Sequence, residues 1–428
     1  MMYNYLILLF LFLNIYKICG QNLKEAYASF TDKEMFLDGL DNEKIWEKAK
    51  IITDFNEFFP VYSNKSSQKT EIKMVYDKNY IYILAKCFVK NQKINVPSLE
   101  RDNQQRGNEG IAVIFDTYKD GNNSFWFESD HTGVKKDGLV SNGGQNFPED
   151  LDFTWDIFWE VQTSVNKNFY VIEFKIPFNS LKFPENSQHW NIQFIRVDSQ
   201  KKVFNIWSQV SKGFTPFDLA FFGSLKFNKP LQKSKSPFML ITYKNGQIAK
   251  KNENKINSSD FAFGGDVKIS VGNGMNLDIT LNPDFSQVEV DDQIINLTRF
   301  EVNLPEKRQF FIQNSDLFAN FGDSRDSRAF FSRRIGVAKD KDGNTTENRI
   351  IAGARLSGKI SDNLRLGFLN MQTDEDLKNS ISANNNLVFT LQQKVFSRSN
   401  IGLIFINREK TSNSNVLNNQ EKFNRVIG

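Results

Sequence analysis

The sequence predicts an all-β protein: an antiparallel β-sandwich followed by a second β region of different character. Three observations carry that expectation. Forty-one Phe beside 11 Tyr and 6 Trp is an aromatic load that suits the half-buried face of a pleated sheet better than a helix bundle. Apolar and polar residues alternate over short runs along most of the chain. Clusters of Asp, Asn and Gly punctuate those runs as turns. With 428 residues, 40% hydrophobic and 24% charged, the chain has a globular composition and enough apolar material for a sizeable core.

In chain order, residues 1–20 read as a secretory signal peptide. Leu6 to Ile15 is an apolar run too short to span a bilayer, and Gly20 supplies a small residue before Gln21. Lys17-Ile18 before Cys19 departs from the small residues that precede a lipidated cysteine. Export is expected, and no later stretch is apolar for the ~18 residues of a membrane helix. Any membrane insertion must then use a closed barrel.

Residues 31–227 read as the sandwich. EIKMVYDKNYIYILAKCF alternates through Ile72, Met74 and Tyr76, turns at Asp77-Lys78-Asn79, and alternates again through Tyr80, Tyr82 and Leu84. GIAVIFDTYKDGNNSFWFESD repeats the hairpin around Asp120-Gly121-Asn122, and FYVIEFKIPFNSL and HWNIQFIRVDS continue the series. NKPLQKSKSP, residues 228–237, is a polar connector.

From residue 238 the strands carry one apolar and one polar face. Val267, Ile269 and Val271 oppose Asp266, Lys268 and Ser270. Met275, Leu277, Ile279 and Leu281 oppose Asn276, Asp278 and Thr280. Ile350, Ala352, Ala354 and Leu356 oppose Ile351, Gly353, Arg355 and Ser357, and Leu364, Leu366 and Phe368 form another apolar face. A one-sided soluble sheet and a lipid-facing barrel both show this pattern. Between two such strands lies a charged insertion, residues 282–345, containing Glu301, Glu306, Lys307, Arg308, Arg333 and Arg334.

Charge and composition exclude several functions. A net charge of +4, from 54 basic and 50 acidic residues spread through the chain, provides no polybasic stripe for nucleic acid. Cys87, the one cysteine outside the signal segment, reads as a small buried apolar residue. His131 and His189 are too few for a His-rich metal or haem site. No Ser-His-Asp order, P-loop or HExxH occurs. With 50 acidic residues, no particular carboxylate pair stands out for glycoside hydrolysis, so no catalytic residue is assigned and binding is favoured over enzymatic function.

Two sets of residues carry a family resemblance. DGLDNEKIW (38–46), FDTYKDG (115–121), TWDIFWE (154–160) and IEFKIPFNSLKF (172–183) together resemble a family 9 carbohydrate-binding module. NPDFSQVEVD, FEVNLPEKRQFFIQNSDLF and FFSRRIG (330–336) resemble the uncharacterised domain that follows this module in many outer-membrane proteins of Bacteroidetes-type bacteria. The resemblance implies a jelly-roll-like sandwich joined to part of an outer-membrane-type antiparallel β-barrel. It further implies a carbohydrate ligand, contact with outer-membrane lipid, unidentified envelope protein partners and a role in glycan recognition or carbohydrate catabolism. The alternatives are a channel or transport component whose sandwich is a plug or docking platform, and a hydrolase of O-glycosyl compounds. About six or seven candidate barrel strands are counted after Lys235, fewer than the even eight or more of single-chain barrels. A C-terminal truncation is therefore expected.

For carbohydrate the candidate stacking rings are Trp126, Trp155 and Trp159, with Arg106, Glu109, Glu128, Asp130 and Asp137 as polar partners. Trp126 shares a strand face with Glu128 and Asp130, opposite Phe125 and Phe127. Core packing is the competing reading for all three indoles. No cofactor is expected apart from structural calcium. The carboxylates of Asp116 to Asp120 or of Glu149-Asp150-Leu151-Asp152 could supply calcium ligands, and simple solvated turns are the alternative. The insertion is read as a plug or gate-like element, against a structured loop with solvated charges.

Overall fold

The computed structural model describes residues 23–428, apart from 34, 63–64, 90–97, 103–108, 149, 154, 200, 233–237, 252–255, 273, 284–305, 307, 313, 320, 324–326, 341–344, 362, 397–398 and 413–421. Among the described residues the chain is all-β, with short helical segments, and no helix is long and apolar enough to cross a membrane. The signal-peptide expectation lies outside these residues.

The first unit contains β1 (Glu25–Phe30), β2 (Asn56–Phe59), β3 (Thr70–Tyr76), β4 (Tyr80–Phe88), β5 (Gly110–Asp116), β6 (Ser124–Asp130), β7 (Lys135–Val140), β8 (Leu151–Asp152), β9 (Glu160–Val165), β10 (Phe169–Pro177), β11 (Ser187–Asp198), β12 (Val203–Ile206) and β13 (Gly223–Leu231). One layer runs β8-β7-β6-β5-β11-β13 and the other β3-β4-β10-β9. Strand β1 belongs to both. Its first part pairs in parallel with β13, and Ser29 and Phe30 pair in parallel with β3. The sandwich thus starts before residue 31, and β13 runs into the stretch read as connector.

Alternation explains the core between the layers. Ile111, Val113 and Phe115 on β5, and Trp190, Ile192 and Phe194 on β11, face Ile72 and Met74 on β3 and Ile172 and Phe174 on β10. Strand β4 sends Ile81, Ile83, Ala85 and Cys87 inward, the set opposite to Tyr80, Tyr82 and Leu84. Its outer face is buried too, because helix α1 (Lys44–Lys48) lays Trp46 over Val75, Tyr82, Leu84 and Val171.

The same helix region explains DGLDNEKIW. Gly39 has φ +76°, and a Cβ there would meet the Thr163 carbonyl carbon at 2.8 Å. The Asp38 and Gly39 amides donate to Glu173 Oε2 at 3.1 and 3.0 Å. Burial, joined by the nearby Glu43 charge, pushes the Glu173 carboxyl up to about 7 from an ordinary 4.5, against the pull of those two amides. Below pH 4.5 both folded and unfolded chains hold this proton. Between 4.5 and about 7 the unfolded chain releases it first, so this group's stabilising contribution falls as pH rises through that window. Glu173→Gln is expected to flatten this part of the pH dependence, which thermal unfolding from pH 4 to 8 measures; an unaltered profile would refute it.

The second unit contains β14 (Phe238–Lys251), β15 (Ile256–Val271) and β16 (Met275–Leu281), the short pairs β17 (Gly322–Asp323) with β18 (Ser327–Arg328) and β19 (Val337–Lys339) with β20 (Thr345–Glu347), then β21 (Ile350–Lys359), β22 (Leu364–Thr373), β23 (Asn384–Phe396), β24 (Ser399–Lys410) and β25 (Phe423–Ile427). The long strands form an eight-stranded antiparallel meander in chain order, β14-β15-β16-β21-β22-β23-β24-β25. That corrects the count of six or seven.

Cross-strand register aligns the apolar faces. Phe238, Ile269, Leu277, Leu356, Phe368, Phe389, Phe405 and Ile427 form one unbroken row across all eight strands. The opposite face is buried and mixed, with Asp278, Thr280, Arg355, Ser357, Arg365 and Thr390 beside Leu369, Met371, Val388 and Ile404. One expectation fails locally: a register shift between Ile350 and Ala352 turns Ile350 onto the inner face and leaves Ile351 exposed.

Part of the charged insertion lies on that inner face. Phe310 and Phe311 from helix α2 (Gln309–Ile312), Leu317 and Phe318 from α3 (Asp316–Ala319), and Phe330 and Ile335 pack on Leu369, Met371, Val388 and Ile404. Arg308 is buried, not solvated. It donates to both Glu306 carboxylate oxygens at 2.7 Å and to the Ile335 and Ser332 carbonyls at 2.7 Å. Arg308 and Glu306 thus pair with each other inside the segment. Arg333 and Arg334 lie on a short helical turn, Ser332–Arg334, while Glu301 and Lys307 fall outside the described residues.

Candidate functional site

The predicted stacking rings are packing elements. Trp159 is 1% exposed and lies flat against Phe174 at 5.7 Å between ring centres. Trp155, 8% exposed, packs on Phe125 and Phe127 in the same core. Trp126 does leave the inner face, as its alternation requires, but the outer face of its sheet is covered as well. It is 8% exposed between Phe153 and Phe217, and its Nε1 donates to Glu128 Oε2 at 3.0 Å.

Two of the polar candidates also have structural positions. Glu109 is buried against Arg196 at 3.4 Å, and accepts from Tyr170 Oη at 3.2 Å and Ser199 N at 3.0 Å. Asp130 folds the turn after β6, its Oδ1 accepting from Thr132 N, Thr132 Oγ1 and Val134 N. In this structure Glu109 is engaged in an ion pair and Asp130 in a turn, and the three indoles are engaged in packing. Arg106 lies outside the described residues.

Asp137 behaves differently and leads to a site that the sequence pattern missed. Its carboxylate is fully buried at the edge of the sandwich, on β7. Oδ1 accepts from Arg101 Nη2 at 2.7 Å and Oδ2 from Ile157 N at 2.9 Å. Arg101 also donates to the Ile157 carbonyl at 3.2 Å and pairs with Asp102 at 3.2 Å and with Asp156. Asp102 Oδ1 in turn accepts from Asp137 N at 3.0 Å. Burial, helped by the neighbouring Asp137 charge, pushes the Asp102 carboxyl up to about 6 despite hydrogen bonding from Asp137 N and the charge of Arg101. Asp102 also holds φ at +56°, a backbone conformation rare outside glycine.

The segment fixed by these bonds carries Phe158, 78% exposed, directly after Ile157. Arg101 and Asp156 are themselves part exposed. A planar guanidinium and carboxylates held rigid beside a solvent-facing aromatic ring can fix hydroxyls while an apolar sugar face covers the ring. Asp156 and Phe158 lie inside TWDIFWE, where the tryptophans drew attention. Nothing in local periodicity joins that segment to Arg101; only the fold brings them together.

Of the two acidic turns considered for calcium, the second includes Glu149, which lies outside the described residues. Asp116 accepts from Asp120 N, Gly121 N and Asn191 Nδ2, and Asp150 from Asn146 N. Among the described residues no three His, Cys, Asp or Glu side chains converge as a metal-holding group.

Comparison with known proteins places both halves of the chain. Residues 37–212 match the family described as Carbohydrate family 9 binding domain-like, and residues 234–420 match the Domain of unknown function (DUF5916). The chain therefore carries a family 9 carbohydrate-binding domain with a DUF5916 domain after it. Among solved structures, a family 9 carbohydrate-binding module from Caldicellulosiruptor kristjanssonii in complex with cellotriose is 17% identical, covering 50% of this chain and 96% of that one with a TM-score of 0.34. The module from the same organism in complex with glucose is 15% identical, covering 50% and 98%, also with a TM-score of 0.34. No curated protein matches the chain.

Proposed function

We propose that this chain is a glycan-binding protein of the outer membrane, with the sandwich as its binding module and the eight-stranded meander as wall of a lipid-embedded barrel. The observation that carries the binding reading is the Arg101–Asp137–Asp156 cluster beside exposed Phe158. The family 9 match over the same unit supports it. The membrane reading is supported by the apolar row that crosses every strand, since lipid-facing and inward residues alternate along barrel strands.

Binding is tested by isothermal titration of a panel of mono- and oligosaccharides into the detergent-solubilised full chain. Phe158→Ala is expected to weaken binding about 2- to 10-fold, the ~0.5–1.5 kcal/mol of an aromatic contact. Arg101→Ala removes charge-assisted hydrogen bonds worth ~1.5–3 kcal/mol and is expected to cost about 10-fold or more. Absence of heat with every glycan, or unchanged affinity in both variants, would reject the assignment. A second reading, a channel or transport component, is favoured by the polar residues on the inner face and by the segment packed there.

A further inference from the structure

We propose that the sandwich faces the periplasm, so that the glycan it holds is a periplasmic saccharide and not a polymer outside the cell. This rests on the outer-membrane barrel reading above. The two ends of the meander differ. At one end the strands are joined by residues 272–274, 360–363 and 397–398; at the other they are joined by 252–255, 282–349, 374–383 and 411–422. Outer-membrane barrels place short turns toward the periplasm and long loops outside.

The sandwich sits at the short-turn end. Strand β14 begins there, Phe238 pairing with Ile269 just before the turn between β15 and β16. Lys359, the last residue of β21, reaches Asp120 Oδ2 at 3.5 Å, and its ammonium lies 5.2 Å from the Tyr118 ring centre. Lys394, near the end of β23, donates to the Asp120 carbonyl, and Asn400, near the start of β24, donates to Asn122 Oδ1 at 3.3 Å. Asn123, in the amide orientation that satisfies both its ends, accepts from Arg365 Nη2 at 2.6 Å.

The sandwich side of this contact is a formed turn. Asp116 accepts from the amides of Asp120 and Gly121, and Asp120 Oδ1 accepts from those of Asn122 and Asn123. The Arg101 site is displaced from it along β6, at the level where Lys135 and Asp137 of β7 pair with Ser129 and Phe127. Ligand access and barrel attachment therefore use different parts of the sandwich. An exported chain reaches this arrangement without carrying the charged surface of a folded unit through hydrocarbon, where unpaired charges are costly to bury.

Labelling with a bulky, membrane-impermeant maleimide polymer tests the orientation in the full-length protein in its native cells. Val165→Cys and Leu40→Cys report on the exposed sandwich surface, and Leu377→Cys on the long-loop end; the native Cys87 is buried. Leu377→Cys is expected to react in intact cells, and the two sandwich cysteines only after the outer membrane is permeabilised. Labelling of either sandwich cysteine in intact cells overturns the proposal, as does a Leu377→Cys that reacts only after permeabilisation. A protein absent from the membrane fraction would instead refute the barrel reading.

Discussion

Arg196→Met is expected to cost the sandwich about 3–5 kcal/mol, the range for breaking a fully buried charge pair. The Arg196 guanidinium ties the two layers together from β11. Nη1 donates to the Lys69 carbonyl and Thr70 Oγ1 at 2.9 Å, and Nη2 to the Phe88 carbonyl at 2.8 Å and to Glu109 at 3.4 Å. Methionine fills much of the volume but leaves the buried Thr70 hydroxyl and the Phe88 carbonyl without this donor and Glu109 without its cation. Adding Glu109→Gln to Arg196→Met removes the orphaned charge and is expected to recover part of the loss. Denaturant midpoints of the wild type, each single variant and the double variant measure both effects. A shift below ~1 kcal/mol for Arg196→Met would show that the sheets are held by apolar packing alone.

Much of this architecture was legible in the chain because strand alternation is a local property. The hairpin turning at Asp77-Lys78-Asn79 and that turning near Asp120-Gly121 appear as β3–β4 and β5–β6. The two-faced strands from Asp266 onward form the meander. Alternation fails where a third layer intervenes. Trp126 lies on the non-core face, as its pattern indicates, yet residues from beyond β12 and from the segment after β8 cover that face. Periodicity registers which side a residue faces and not whether that side meets water. The Arg101 cluster was hidden for a related reason: its members come from the stretch before β5, from β7 and from the segment before β9, joined only in three dimensions. The Ile350 bulge escaped because a single extra residue in a strand leaves little trace in composition.

Asp316→Ala is expected to release the inner segment from the wall of the meander. Asp316, at the start of α3, pairs with Arg365 at 2.6 Å, both side chains being buried, and Gln392 Oε1 accepts from the same guanidinium at 2.9 Å. Removing the carboxylate leaves Arg365 hydrogen-bonded to neutral acceptors, with Asp120 as the remaining nearby negative charge, and breaking such a buried pair costs up to about 3–5 kcal/mol. Apolar contacts from Phe318 and Leu317 remain, so the segment is expected to open locally and the sheet to persist. Amide exchange across Leu317–Ala319 should then accelerate about a hundredfold or more. Under the channel reading, conductance in planar bilayers should rise with it. Replacing both partners, Asp316→Leu with Arg365→Met, separates electrostatic attachment from shape, because neither partner's charge remains and the apolar pair can still pack. Slow exchange in this double variant alongside fast exchange in Asp316→Ala would assign the attachment to charge compensation. Unchanged exchange in Asp316→Ala would mean that the phenylalanine cluster alone holds the segment against the wall.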